Sequence, residues 1–295
     1  MVVQRAAHWQ AHQGAVYSLD ILPNGELVSG GGDGLVIRWD LKSQQPIRKW
    51  GPFSGAPFVV RSVGTEIYAG LFRRGLVVLD AKAPQLIAYW DKRVSVFAIS
   101  QPVGPHLWIG MSQGYLMQWN LESHEPAAIY QVGNHSWRSV EVVNDTIWAG
   151  NSQGELLIIN QNGKPLFLGR IHQKAIFAFH ATPGFVASAS HDRQIQLWDP
   201  HFESAPKLTK QLQGHTRGVL TVTQWQKWLI SGSQDKSIKI WDTTSGKAIR
   251  TIHPIFSSSA HQYAINALAS TQHFFVAGSE DRSISLWIAD DETTP

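Results

Sequence analysis

Tryptophan recurs along this chain at a nearly fixed interval, and that interval restricts the fold more than any other property of the sequence. Trp39, Trp119, Trp198, Trp241 and Trp287 each close a segment of one type: "SGGGDGLVIRWD", "IGMSQGYLMQWN", "SASHDRQIQLWD", "SGSQDKSIKIWD" and "AGSEDRSISLWI". Two more copies carry an aliphatic residue there, "AGLFRRGLVVLD" at Leu79 and "AGNSQGELLIIN" at Ile159. Successive anchors lie 40, 40, 40, 39, 43 and 46 residues apart, so seven copies tile the 295-residue chain. In the sixth copy, "VLTVTQW", "WLISGS", "SIKIWD" and "KAIRTI" are β-prone runs separated by turn residues. Gly, Asp or Gln between the second and third runs suits the tight hairpin needed there. No stretch sustains a 3.6-residue apolar period, so helices should be nearly absent. A four-stranded sheet cannot bury both of its faces alone. Radial stacking of seven such sheets covers each one with its neighbours.

The chain ends indicate how such a ring closes. The last copy stops shortly after its third run, "SISLWI", and "ADDETTP" (289–295) reads as a polar tail. Residues 2–9, "VVQRAAHW", precede the first full copy and supply the missing fourth strand, which removes an open edge. Residues 1–295 are therefore expected to form one domain. Hydrophobic residues at 43% and charged residues at 16% support a sizeable core and argue against global disorder. No apolar run reaches the roughly 18 residues of a membrane helix, and the N-terminus lacks the pattern of a signal peptide. The chain has no cysteine, which excludes disulfides and thiolate metal sites, and a cytoplasmic location is the simplest expectation. The formal charge of +3 is spread over scattered Lys and Arg, so a nucleic-acid partner is not expected.

The "GH…SGS-D…WD" pattern of 214–242 resembles the WD40-repeat family, and the likeness extends over essentially the full length. It implies an all-β, seven-bladed β-propeller of four-stranded antiparallel blades that serves as an interaction scaffold. It also implies a structural role for a recurring residue set. Ser231, Asp235 and His215 are the residue types of a hydrolase triad, yet with Trp241 they recur as His12, Ser29, Asp33, Trp39 and as His172, Ser188, Asp192, Trp198. A catalytic triad is normally built once, beside a cleft with an oxyanion hole. A hydrogen-bonded tetrad in each blade, with every member satisfied, accounts for the repetition. The seventh copy keeps His261, Asp281 and Trp287 but has Ala277 at the serine position. Copies two to four replace the turn Asp by Arg73, Gln113 and Gln153. Those copies have either drifted toward apolar packing or specialised as an arc that faces a partner.

A propeller does not specify its function, so a site has to be argued separately. Alignment of the first strands yields a column of Tyr17, Phe58, Phe97, Arg138, Phe177, Leu220 and Asn266, which the resemblance places at the channel mouth on the top face. Four aromatics and an arginine match the composition of binding hot spots. The same rings would also serve to plug a tapered channel. Two positions earlier stand the small residues Ala15, Ala56, Ser95, Ser136, Ala175, Gly218 and Ala264, which suggest a recess. Residues just before the turns, Phe72, His191, Gln234 and Glu280, vary as a recognition surface would, and Arg73 and Arg74 add positive charge. Trp137 lies near this end, and "HPIFSSSAHQ" (253–262) is expected to project there as a loop. The expected partner is a protein or peptide bound without catalysis. The alternatives are a hydrolase with its site at the channel, for which the column offers no convergent acid and base, and a weak basic surface that binds nucleic acid. No HExxH or P-loop pattern is present, and no metal or cofactor is expected. His8, His106, His124, His180, His201 and His273 read as satisfied or solvated histidines.

Overall fold

Short runs of β-branched and aromatic residues, each stopped by a turn, pair locally before they pair with anything distant. The computed structural model describes residues 2–83, 85–90, 92–201 and 205–289. Among these, the strands form seven four-stranded antiparallel sheets, and the only helical element is the single 3-10 turn Ser112–Gly114. Each sheet is one blade; in six of them the strands run in chain order from the channel outward, and the seventh takes its outermost strand from the start of the chain. The inner strands are Val16–Ile21, Pro57–Val63, Val96–Ile99, Trp137–Val143, Ile176–Ala181, Val219–Trp225 and Ile265–Ser270.

Closure follows the expected route. Val3–Gln10 is the outer strand of the seventh blade and pairs with Ser283–Ala289, from Val3 opposite Ala289 to Gln10 opposite Ser283. Ala289, assigned to the polar tail from sequence, is the last residue of that strand, because it finds a partner in Val3. Residues 290–295 lie outside the described part. No helix among the described residues is long and apolar enough to cross a membrane.

The apolar residues of the second and third strands point alternately to the two faces of a blade, and both faces are covered. Leu76, Val77, Val78 and Leu79 are all buried, as are Leu156, Leu157, Ile158 and Ile159. One apolar cluster fills each of the seven interfaces between neighbouring blades. Between blades one and two, Val28, Val36 and Trp50 meet Val60, Ile67 and Val77. The outer strands face solvent on one side, and Glu125–Gln131 alternates exposed and half-buried residues along its length.

A glycine on the second strand lets each blade approach the next. A Cβ at Gly110 would lie 2.8 Å from the Trp137 carbonyl oxygen, and one at Gly70 would lie 2.4 Å from a Val96 methyl group. Gly30, Gly150, Gly232 and Gly278 face the inner strand of the following blade in the same way. In the fifth blade, Ala189 holds this place. At Gly110 the obstacle is backbone, which cannot rotate aside. Gly110→Val should therefore destabilise the protein by about 1–3 kcal/mol or more, the usual range for overpacking, as measured by urea denaturation at neutral pH.

Candidate functional site

Four blades carry a complete hydrogen-bonded tetrad. In the sixth blade His215 Nδ1 donates to Asp235 (2.8 Å), Ser231 Oγ donates to His215 Nε2 (2.7 Å), and Trp241 Nε1 donates to Ser231 Oγ (2.8 Å). His12, Ser29, Asp33 and Trp39 repeat this in the first blade, with His12 to Asp33 at 2.9 Å and Ser29 to His12 at 2.7 Å. His172, Ser188, Asp192 and Trp198 repeat it in the fifth. Each Asp also accepts a backbone N–H from the residue after its His: Gln13, Gln173 and Thr216.

The seventh blade corrects the sequence reading. Ala277 is at the serine position, but Ser285 stands directly opposite it on the third strand. Ser285 Oγ donates to His261 Nε2 (2.7 Å) and accepts from Trp287 Nε1 (2.7 Å), while His261 Nδ1 bonds Asp281 at 2.8 Å. The hydroxyl has crossed one rung of the ladder and reaches the same place. Ser29, Ser188, Ser231 and Ser285 are all 0% exposed, so none can meet a substrate. These sets lock blades and do not attack bonds.

Burial by itself would raise the tetrad carboxyls. The His ring and the backbone N–H donors outweigh it and hold Asp33, Asp192, Asp235 and Asp281 below the ordinary carboxylate range. Burial also lowers the His12 and His215 rings below their ordinary 6.5, against the pull of their aspartates. Both shifts mean that the unfolded chain binds more protons than the folded one in acid. The contribution of the tetrads to stability should thus be fully present above about pH 6.5 and decline as pH falls, first through the histidines and then through the aspartates. Chemical denaturation at pH 7, 5.5 and 4 checks this. Asp235→Ala should cost about 1–3 kcal/mol at pH 7 by removing the carboxylate acceptor of His215 and of the Thr216 N–H. Ser285→Ala should destabilise similarly, and Ala277→Ser in the same molecule should restore most of the loss.

Blades two to four organise their turns differently. Asn151 caps the fourth-blade turn by accepting the backbone N–H groups of Gln153 (2.9 Å) and Glu155 (3.0 Å). In the second blade, Arg73 takes φ 56° and Arg74 follows it, both exposed, with the Arg73 guanidinium 5.2 Å from the Phe72 ring centre. Gln113 is likewise in the left-handed region, at φ 62°.

The residue column occupies a special backbone position. In all seven blades the pairing of inner and second strands slips at one residue, and that residue is Tyr17, Phe58, Phe97, Arg138, Phe177, Leu220 or Asn266. Each is therefore the extra residue of a β-bulge, which belongs to no rung and whose side chain is re-aimed. All seven are half-buried. Their side chains form a crescent along the inner wall. Tyr17 meets Phe58 edge-on at 5.0 Å, and Phe58 stacks on Phe97 at 5.9 Å. The Arg138 guanidinium lies 4.3 Å from the Phe97 ring centre and 5.4 Å from that of Phe177. Phe177 meets His191 at 5.9 Å, and His191 bonds Gln234 at 3.2 Å. Phe72 joins from outside, 5.2 Å from Phe58. Leu220 takes no part in these ring contacts, and Asn266 is turned to the backbone, where its Nδ2 donates to the Val16 carbonyl (3.0 Å).

Among the described residues no carboxylate pairs with Arg138, its Nε is buried without a partner, and burial lowers its pKa. The small residues have a structural task. Ala15, Ala56, Ser95, Ser136, Ala175, Gly218 and Ala264 each accept, through the carbonyl, the N–H of Gly32, Phe72, Ser112, Ser152, His191, Gln234 or Glu280 in turn. That bond places the residues before the turns in a second ring beside the bulges. The space above Gly218 is filled by the His191 ring, 2.4 Å from where a Cβ would stand. Trp137 is 1% exposed and belongs to the core. The inserted loop of the seventh copy lies against the sixth-blade turn, where His253 Nε2 donates to the Asp235 carbonyl (3.1 Å). Ile255 and Phe256 on this loop are 79% and 78% exposed.

Four segments, 4–40, 163–199, 206–242 and 252–287, match the model of the WD domain, G-beta repeat. The chain belongs to the WD40-repeat family. It is 25% identical over 261 residues to the 77 kDa echinoderm microtubule-associated protein of Strongylocentrotus purpuratus, a match over 81% of this chain and 36% of the relative. It is 24% identical over 259 residues to human transducin beta-like protein 3, covering 78% of this chain and 32% of that protein. A shorter match, 41% over 70 residues, links 23% of the chain to 15% of the nuclear distribution protein nudF of Aspergillus niger. The WD40 propeller thus spans about a third of the two relatives that it matches over most of its length.

Proposed function

We propose that this WD40 propeller is a non-enzymatic scaffold that takes an acidic or phosphorylated peptide segment across its channel mouth. The observation that carries the reading is Arg138: a half-buried guanidinium, set between two phenylalanine rings, with no carboxylate beside it among the described residues. A cation held in this way has already lost part of its hydration, so an incoming carboxylate or phosphate gains a strong, charge-assisted contact. Tyr17, Phe58, Phe97 and Phe177 supply rigid apolar area on either side, as anchors of a binding surface do. Arg73 and Arg74 extend the positive charge outward along the second blade, and Phe72, His191, Gln234 and Glu280 border the path of the peptide. Leu220 and Asn266 complete the ring on the side away from the aromatic crescent.

The test compares protein capture from the native host by the wild type, by Tyr17→Ala/Phe97→Ala and by Arg138→Gln. Each variant should keep the wild-type denaturation midpoint within a small margin and lose at least tenfold of the captured partner. Rising salt should weaken the wild-type interaction, because the Arg138 contact is electrostatic. Capture equal to wild type by both variants would overturn this site.

A further inference from the structure

Beyond the bulge column, three residues farther along each inner strand and about 10 Å deeper at ~3.3 Å per residue, lies a second row. It consists of Asp20, Arg61, Ser100, Glu141, His180, Thr223 and Ala269. Most of its polar members fasten neighbouring strands. Asp20 accepts the Ser62 backbone N–H and hydroxyl, both at 2.6 Å. Arg61 donates to the Ile99 carbonyl at 3.2 Å and lies 3.7 Å from Asp20. Ser100 Oγ accepts the Trp108 N–H (2.9 Å), and Thr223 bonds Ser270 (2.9 Å). Among the described residues the side chains of Glu141 and His180, on adjacent blades, fasten nothing between blades; the one side-chain hydrogen bond of Glu141 comes from the N–H of the next residue, Val142.

All of this row except Ser100 lines a cavity of about 510 Å³ in this half of the channel. The charged and titratable groups that face it are Asp20, Arg61, Glu141 and His180. Arg61 is already matched by Asp20 and by a carbonyl, so an ionised Glu141 leaves the cavity with one uncompensated negative charge. Burial opposes that charge and pushes the Glu141 carboxyl up to about 7, although Arg61 pulls it down. Burial and Arg61 together lower His180 to about 4, which leaves its ring neutral, with one nitrogen free to accept. Among the described residues no three His, Cys, Asp or Glu side chains are grouped to hold a metal ion. The missing partner is a single positive charge that brings its own N–H donors.

We propose that this half of the channel binds an organic monocation, an alkylammonium or guanidinium group, with Glu141 as its counter-ion and His180 as a neutral acceptor. The cation either is a free small molecule or is a Lys or Arg side chain inserted by another protein. Binding requires ionised Glu141, so the fraction of carboxyls still protonated at neutral pH must release their proton as the cation enters.

Calorimetric titration with n-butylammonium and with methylguanidinium, in buffers of different ionisation enthalpy, tests this directly. At pH 7 each bound cation should release roughly half a proton, and at pH 9 almost none. The apparent affinity should rise about tenfold between pH 6 and pH 8, as the ionised fraction of Glu141 does. Glu141→Gln should abolish both the proton release and the pH dependence. A second arm uses capped Gly-Lys-Gly and Gly-Arg-Gly peptides. Binding of the small cations supports a free ligand, and binding of the peptides alone supports an inserted side chain. No saturation by either set in the millimolar range, or wild-type binding without proton release at pH 7, overturns the proposal. The wild-type proton count decides the matter even if Glu141→Gln does not fold.

Discussion

A sheet that is apolar on both faces has no stable existence in water by itself, and every other feature of this molecule depends on that constraint. Each blade hides Val, Ile, Leu and Trp side chains against the blade before it and the blade after it, with one cluster in each interface. Hydrophobic burial is non-directional and would accept a loose stack. The second-strand glycines of six blades remove that freedom, because a bare backbone there admits the inner strand of the next blade closely. The pairing of Val3–Gln10 with Ser283–Ala289 then joins the last interface to the first, and no strand edge is left between them.

The tetrads add directionality to this packing. A buried His, Ser and Trp would each be costly if left without a partner, so the members of each complete network support one another. Blades one, five, six and seven use it, and blades two to four do without it. The arc without tetrads is also where three of the seven bulge positions hold Phe58, Phe97 and Arg138. The strongest polar locks and the centre of the aromatic crescent are therefore on different sides of the ring.

Much of this was legible in the sequence, for a physical reason: a repeat shows the same local demand seven times. The tryptophan spacing, the turn residues and the closing strand could be read because each is a property of consecutive residues. Ser285 could not be found that way. Its equivalence to Ser231 is a relation across a ladder rung, through Ala277, and not along the chain. The bulge was also out of reach, since a slipped register leaves no mark in residue type, although it explains why one column contains Tyr, Phe, Arg, Leu and Asn without pattern. Glu141 escaped notice because it lies in no motif, and His180, read only as a satisfied or solvated histidine, proves instead to be a buried ring on the channel wall. Only the ring brings residues so far apart in sequence to one cavity.

The repeated bulge has a consequence for how such a surface changes over time. A residue outside the ladder contributes little to strand registry, so its side chain can be exchanged while the blade keeps its pairing. Seven such positions encircle one opening, each on a separate blade, which makes the rim a set of independently replaceable contacts mounted on an invariant frame. Independence fails where neighbours touch. Phe97, Arg138 and Phe177 form one stacked unit across three blades, and a change at either ring would shift the guanidinium between them. New specificities at this rim are therefore most easily acquired at Leu220, which stands outside that stack, whereas Asn266 is bound to the Val16 carbonyl of the next blade.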